Sequence, residues 1–241
     1  MLERSTITNR HSDPLLNPQP RRVVASLQWR TIYGAEMLYA GPLFIHQLSH
    51  LWIDLRGIRD GFMRRKKSDY FENSRRATYA QQQYAIRNPR RFAGYGRWSW
   101  GITASDGPGD IVRRIRGFRR RFYDYRARGI PHGPDDGTLS PWAVAASLPF
   151  AAEIVLPTLR TLEATYPLVR SEYGLLCSFN PTLGSGSRKK GRGGWVAKGY
   201  LGLDEGPVVL MIENYLSGLI WRLMRRCSYV ATGLRRAGFP L

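Results

Sequence analysis

Residues 69–89, DYFENSRRATYAQQQYAIRNP, decide the fold class. Ser68 or Asp69 can cap a helix by accepting from its free first-turn amides, and Glu72 falls in that first turn. The helix then runs through RRATYAQQQYAIRN and stops before Pro89, which can neither donate a backbone hydrogen bond nor fit inside a turn. Upstream, apolar residues recur at helical spacing from Thr31 to about Asp54, broken by Gly41-Pro42. This predicts a short helix, a break, and a helix from Leu43 to about Arg56. Residues 1–28 are polar, proline-containing and aperiodic, and read as a flexible lead-in.

Downstream, residues 89–139 hold nine Gly and four Pro with little periodicity, a connection long enough to suggest a functional loop. Helical signals return at Ser140-Pro141, where Ser140 can cap and Pro141 suits the first turn, and again from Phe150 to Tyr166. A second loop carries NPTLGSGSRKKGRGGW, and the last helices are predicted over Glu205–Arg226 and Ser228–Ala237. No alternating strand pattern of useful length is evident. The expected class is all-α, and helices separated by long loops suit a toroid of helical hairpins.

Length and composition narrow the function. With 241 residues, 43% apolar, and seven Trp, nine Phe and thirteen Tyr, the chain can form a sizeable core and is not wholly disordered. Two cysteines, Cys177 and Cys227, allow one bridge at most and lack the spacing of a zinc site. No apolar run is long enough for a signal-peptide core or a membrane span: the longest, Ala143–Ala152, is ten residues and contains Ser147 and Pro149. As written, the chain is expected in the cytoplasm, or exported if an upstream leader precedes it.

Thirty-seven Lys and Arg against eighteen Asp and Glu give a formal charge of +19. The basic runs, among them Arg64–Lys67, Arg119–Arg121, Arg188–Arg192 and Arg235-Arg236, are scattered over at least six predicted elements. No zinc-finger or RNA-recognition signature accompanies them, which favours a broadly solvated basic surface over a nucleic-acid site. Residues 111–128, IVRRIRGFRRRFYDYRAR, interleave Arg with Phe and Tyr, a pattern that suits stacking on bases or holding an anionic group.

Several clusters could carry chemistry. His46 and His50 lie four residues apart, but Gln47 stands where a zinc protease needs its glutamate base, so no metal is expected. Trp98 and Trp100 lead into Gly101–Pro108 with Asp106; His132–Thr138 contains Asp135-Asp136 before Ser140-Pro141-Trp142; Gly202–Pro207 contains Asp204-Glu205, followed by Glu213. Carboxylates flanked by glycine and bulky aromatics suit sugar handling, since rings stack on apolar sugar faces while carboxylates bind hydroxyls and move protons. Asp before Gly also simply makes turns and caps, so both readings stand.

The strings AGPLFIHQLSHLWIDLRGIRD, DYFENSRRATYAQQQYAIRNP, WGITASDGPG, GPDDGTLSPWAVAASLPFAAEIVLPTLR, YLGLDEGPVVLMIENYLSGLIWRLM and LRRAGF resemble the bacterial glycoamylase-like domain. That family includes endo-β-1,2-glucanases and a region of cyclic β-1,2-glucan synthases. The resemblance runs in order from about Trp29 to Phe239. It implies an (α/α)6 toroid with loops lining a glycan cleft, and inverting hydrolysis in which one carboxylic acid protonates the leaving oxygen while a carboxylate activates water.

By its motif Asp204 sits where the family places a candidate base, and His46, His50, Trp100, Asp106, Asp136 and Glu213 match cleft-facing positions. A family domain begins well upstream of the YAGPLF segment, so the resemblance also implies that residues 29–241 are the C-terminal half of a domain. The general acid would then lie in the other half. The expected partners are a β-glucan and either a separately encoded N-terminal half or a second copy of the chain, with no cofactor. A partial toroid should leave an exposed apolar patch beside the predicted Leu43–Asp54 helix and be inactive alone. The alternative is an inactive basic fragment that binds nucleic acid or an anionic surface.

Overall fold

The computed structural model describes residues 28–184 and 194–239; the lead-in and the run Arg188–Arg192 lie outside them. Its α-helices are α1 (Gly61–Arg65), α2 (Tyr70–Arg87), α3 (Pro141–Ala145), α4 (Ala152–Thr165), α5 (Gly202–Leu216), α6 (Leu219–Arg225) and α7 (Ser228–Arg236). Helix takes 43% of the structure, so it is mostly helical. The all-α expectation needs one correction: five two-stranded antiparallel sheets pair the connections. They are β1 (Trp29–Ile32) with β2 (Ala35–Leu38), β3 (Ala104–Ser105) with β6 (Arg126–Ala127), β4 (Ile111–Ile115) with β5 (Phe118–Phe122), β7 (Arg170–Ser171) with β8 (Gly174–Leu175), and β9 (Phe179–Asn180) with β10 (Trp195–Val196).

Helix α2 forms as its sequence dictates. The Asp69 side chain accepts from the Glu72 amide at 2.8 Å, and Glu72 pairs with Arg76 one turn on. Asn88 closes the helix in the left-handed region at φ 42° before Pro89. Its buried face mixes alanines with polar groups, and the glutamines find partners across the core: Gln81 exchanges two hydrogen bonds with the backbone of Ile102, and Gln82 donates to Arg97 O. Helix α3 lies at the centre, all five residues buried, with Pro141 in its first turn; Ser140 precedes it, but its side chain makes no capping bond.

The segment upstream of α2 departs from expectation. Thr31 belongs to the β1–β2 hairpin, whose turn residues Tyr33 and Gly34 have φ of 49° and 86°, the conformation of a tight two-residue hairpin turn. Leu43–Leu51 is not an α-helix but two successive 3₁₀ turns, Leu43–His46 and Leu48–Leu51. Short local bonds such as Gln47 N to Phe44 O and His50 N to Gln47 O close the turns, and tertiary bonds hold them in place. Leu43 N donates to Ile102 O, Phe44 N to Thr103 Oγ1, and Gln47 Nε2 to Ala143 O and Ser147 Oγ. From α5 and α6, Asn214 Nδ2 donates to Leu51 O and Trp221 Nε1 to His50 O.

The predicted Glu205–Arg226 helix is two helices, α5 and α6, divided at Gly218 with φ 67°. Around α2–α5 a single cluster that includes Leu43, Tyr84, Trp100, Ile102, Trp142 and Met211 forms the core. Ile45 and Trp52 are half exposed beside the 3₁₀ turns. A longer row of exposed apolar side chains runs elsewhere, on α5 and α6, through Leu203, Val209, Leu216 and Leu223.

Candidate active site

Asp204 lies in the first turn of α5, and its side chain is only 4% exposed. It faces a cavity of about 50 Å³, walled by Phe44, Leu48, Ala104, Ser105, Tyr125, Trp142, Leu201 and Leu203. That volume admits water but not a sugar ring. Two polar atoms lining it have no hydrogen-bond partner among the described residues: Asp204 Oδ2 and the indole N–H of Trp142. Burial raises the Asp204 pKa from 3.8 to about 6; a hydrogen bond from the Cys177 thiol opposes the rise, and the charges of Glu205 and Asp106 add to it. Burial and the bond to Asp204 in turn push the Cys177 thiol up to about 12. Both cysteines are free.

Asp106 is the second carboxylate here, half-buried beside Cys177 and Asp204, with its carbonyl accepting from Ser178 Oγ at 2.7 Å. The loop that presents it is clamped by Arg128, whose side chain is completely buried. Arg128 donates to Ser105 O at 2.7 Å, to Tyr123 O and Asp124 O at 3.1 and 3.2 Å, and to both carboxylate oxygens of Asp136 at 2.8 Å. Asp136 therefore does not stand at a surface. It is 0% exposed and also accepts from the Tyr123 and Thr138 amides. Burial alone would raise its pKa, but the hydrogen bonds and charge of Arg128 outweigh burial and hold it low. Its reach to the site is indirect, through the loop that carries Ser105, Asp106 and Tyr125.

The remaining expected residues separate from Asp204. Trp100 is fully buried in the core, its indole donating to Thr158 Oγ1 at 2.8 Å. Glu213 is nine residues after Asp204, about half a turn away around α5, and bonds to Ser217 Oγ. His46 and His50 line a different cavity of about 540 Å³, shared with Tyr39, Tyr70, Asn73, Ser74 and Phe239. His46 Nε2 lies 3.2 Å from Ala40 O and Nδ1 3.4 Å from Asn73 Nδ2; His50 Nε2 lies 2.9 Å from Ser74 Oγ, while its Nδ1 is unpartnered among the described residues. Burial lowers both pKa values to about 4, helped at His50 by the charge of His46, so both rings are neutral near pH 7. The described residues contain no group of three or more His, Cys, Asp or Glu placed to hold a metal.

Arg128, Cys177 and Trp142 emerge only from the structure. Trp142 follows the Ser140-Pro141 signal, so an aromatic beside an acidic loop was visible; nothing in the sequence set Arg128 apart from its arginine neighbours.

With this geometry in view, comparison with known proteins decides the family: the glycoamylase family, described as "Putative glucoamylase", matches residues 22–228. The chain belongs to that family. It is 31% identical over 212 residues to an exo-β-1,2-glucooligosaccharide sophorohydrolase (non-reducing end) of Parabacteroides distasonis, covering 86% of this chain and 25% of that protein. The solved endo-β-1,2-glucanase of Chitinophaga pinensis, a complex with sophorotriose and glucose, aligns with TM-score 0.74 and 28% identity over 91% of this chain and 48% of its own. A β-1,2-glucanase from P. distasonis aligns with TM-score 0.70 and 29% identity over 88% of this chain and 27% of its own. The glycoamylase-family chain thus spans about half or less of the relatives it matches. No helix among its described residues is long and apolar enough to cross a membrane.

Proposed function

We propose that residues 29–241 are the C-terminal half of a glycan-binding toroid, and that this half supplies the base for inverting hydrolysis of β-1,2-linked glucan. The observation that carries the reading is Asp204: a desolvated carboxylate with an unpartnered oxygen, poised near pKa 6, on a water-sized cavity walled by aromatics. Such a carboxylate is mostly ionised at pH 7 yet more basic than an exposed aspartate, which suits removal of a proton from water. Burial sets its charge state, with Cys177 and Asp106 acting on it in opposite directions, and the exposed ring of Tyr125 beside the cavity offers a stacking face for a sugar. The opposing acid belongs to the other half of the toroid, docked against the exposed apolar side chains of α5 and α6, where Val209 and Leu216 share one helical face. The names of the sophorohydrolase and the two glucanases supply the linkage.

The test has two arms. In native gels containing linear β-1,2-glucan the chain should be retarded, and in gels containing β-1,3-glucan it should not. Joined to an upstream family half, it should release product with an acidic limb near pH 6, and Asp204→Asn should abolish turnover while preserving gel retardation. Equal mobility in both gels would sink the reading.

A further inference from the structure

Strand β3 and Tyr125, which both wall the Asp204 cavity, flank a longer excursion of the chain. Beyond Asp106, and before Tyr123–Tyr125, the chain extends as the β4–β5 ribbon, five residues or ~17 Å long, closed by Arg116-Gly117 at φ 49° and 84°. Partners across a ribbon point to the same side, so Ile111, Arg113, Ile115, Phe118, Arg120 and Phe122 form one face. Phe122 on it is fully buried, and Arg120 stacks on Phe92 and donates to Arg90 O and Arg91 O, so this face is anchored to the body of the protein there, while Arg113 and Phe118 on it stay exposed. The other face carries Val112 opposite Arg121 and Arg114 opposite Arg119, all exposed. Arg114, Arg119 and Arg121 form no ion pair with any described residue, although Arg114 and Arg119 confront each other directly across the strands. Like charges in that register oppose pairing. A hollow of about 400 Å³ lies among Asp110, Val112, Arg119 and Arg121.

We propose that this arginine face continues the glycan site, and that the glucan accepted at Asp204 bears anionic substituents, phosphate or carboxylate, which the ribbon receives. The inference rests on the functional reading above and narrows its substrate class. Guanidinium groups match both oxyanion types through paired N–H donors, and substituents strung along a polymer lying outside the cavity would meet successive arginines along the ribbon.

The probe is linear β-1,2-glucan lightly O-succinylated, titrated against the full chain beside the unmodified polymer, succinylated amylose and poly(U). At low salt the succinylated β-1,2-glucan should bind roughly tenfold tighter than the neutral one, and salt should erase the difference. Arg114→Gln/Arg119→Gln/Arg121→Gln should remove the preference and leave neutral-glucan affinity unchanged. Arg226→Gln/Arg235→Gln/Arg236→Gln, an equal charge loss on exposed α6–α7 positions, should keep it. Equal binding of the two β-1,2-glucans, survival of the preference in the ribbon variant, or comparable affinity for succinylated amylose or poly(U) would each overturn the proposal while leaving the glucan reading intact. Binding of neither β-1,2-glucan would instead overturn the functional reading itself.

Discussion

The two sides of the Leu43–Leu51 segment bury ionisable groups to similar depth and with opposite results. On one side His46 and His50 sit over the larger cavity, and burial pulls both rings down to about 4. On the other, Asp204 meets the small cavity beside Phe44 and Leu48, and burial lifts it to about 6. Desolvation disfavours charge in both places, yet only the carboxyl ends near neutrality. The histidines are locked neutral across the range in which glucan would be handled, whereas Asp204 can still exchange a proton. Cavity size and a titratable group near neutrality point to opposite sides of the segment.

The largest effect should follow from breaking the clamp behind the Asp204 side. Arg128→Met leaves Asp136 buried without its partner, and loss of a buried partner costs about 3–5 kcal/mol. Urea unfolding should show that loss, and a change below about 1 kcal/mol would demote the clamp to a bystander.

The pH dependence sharpens the contrast next. Each histidine, with its pKa lowered from 6.5 to about 4, contributes stability that is complete above pH 6.5 and lost as pH falls towards 4. Asp204, raised from 3.8 to about 6, works in reverse: its contribution is complete below 3.8 and lost as pH rises through 6. Between pH 4 and 6 the unfolded chain gains two protons on the histidines while the folded chain gains one on Asp204. These three groups therefore give a slope of about 1.4 kcal/mol per pH unit, rising with pH. Asp204→Asn should steepen it to about 2.7, and His50→Gln should flatten it towards zero. Parallel curves for all three proteins would dissolve the comparison.

The smallest effect concerns the unpaired indole. Trp142→Phe removes the N–H together with one of the two fused rings, so stability should fall by about 1 kcal/mol through the small cavity left in the core while affinity for β-1,2-glucan falls a few-fold. Calorimetric titration of the variant and the parent would measure both.

What the sequence disclosed follows the range of the forces involved. Helix α2 was legible because its signals are local: a capping aspartate, a first-turn glutamate and a proline stop. Four-residue strands flanking Tyr33-Gly34 are too short to outweigh apolar spacing that also fits a helix, so the β1–β2 hairpin was read as helical. The 3₁₀ turns at Leu43–Leu51 are set by bonds to residues about 50 to 170 positions away, which no local pattern carries. Motif resemblance singled out Asp204, Asp106, Asp136 and Trp100 alike. It could not tell that Asp136 faces an arginine, or that Trp100 faces a threonine in the core, because side-chain direction is fixed only by tertiary packing.

Arg128 also has a temporal consequence. Its acceptors come from three separate stretches, at Ser105, at Tyr123–Asp124 and at Asp136, and Gly107 lies so close that an added Cβ would fall 2.1 Å from Nη2. None of these stretches can peel away without stranding a guanidinium in the interior. They should open and close as one cooperative unit, and the Tyr123 and Thr138 amides, both bonded to Asp136, should exchange with deuterium at one shared slow rate.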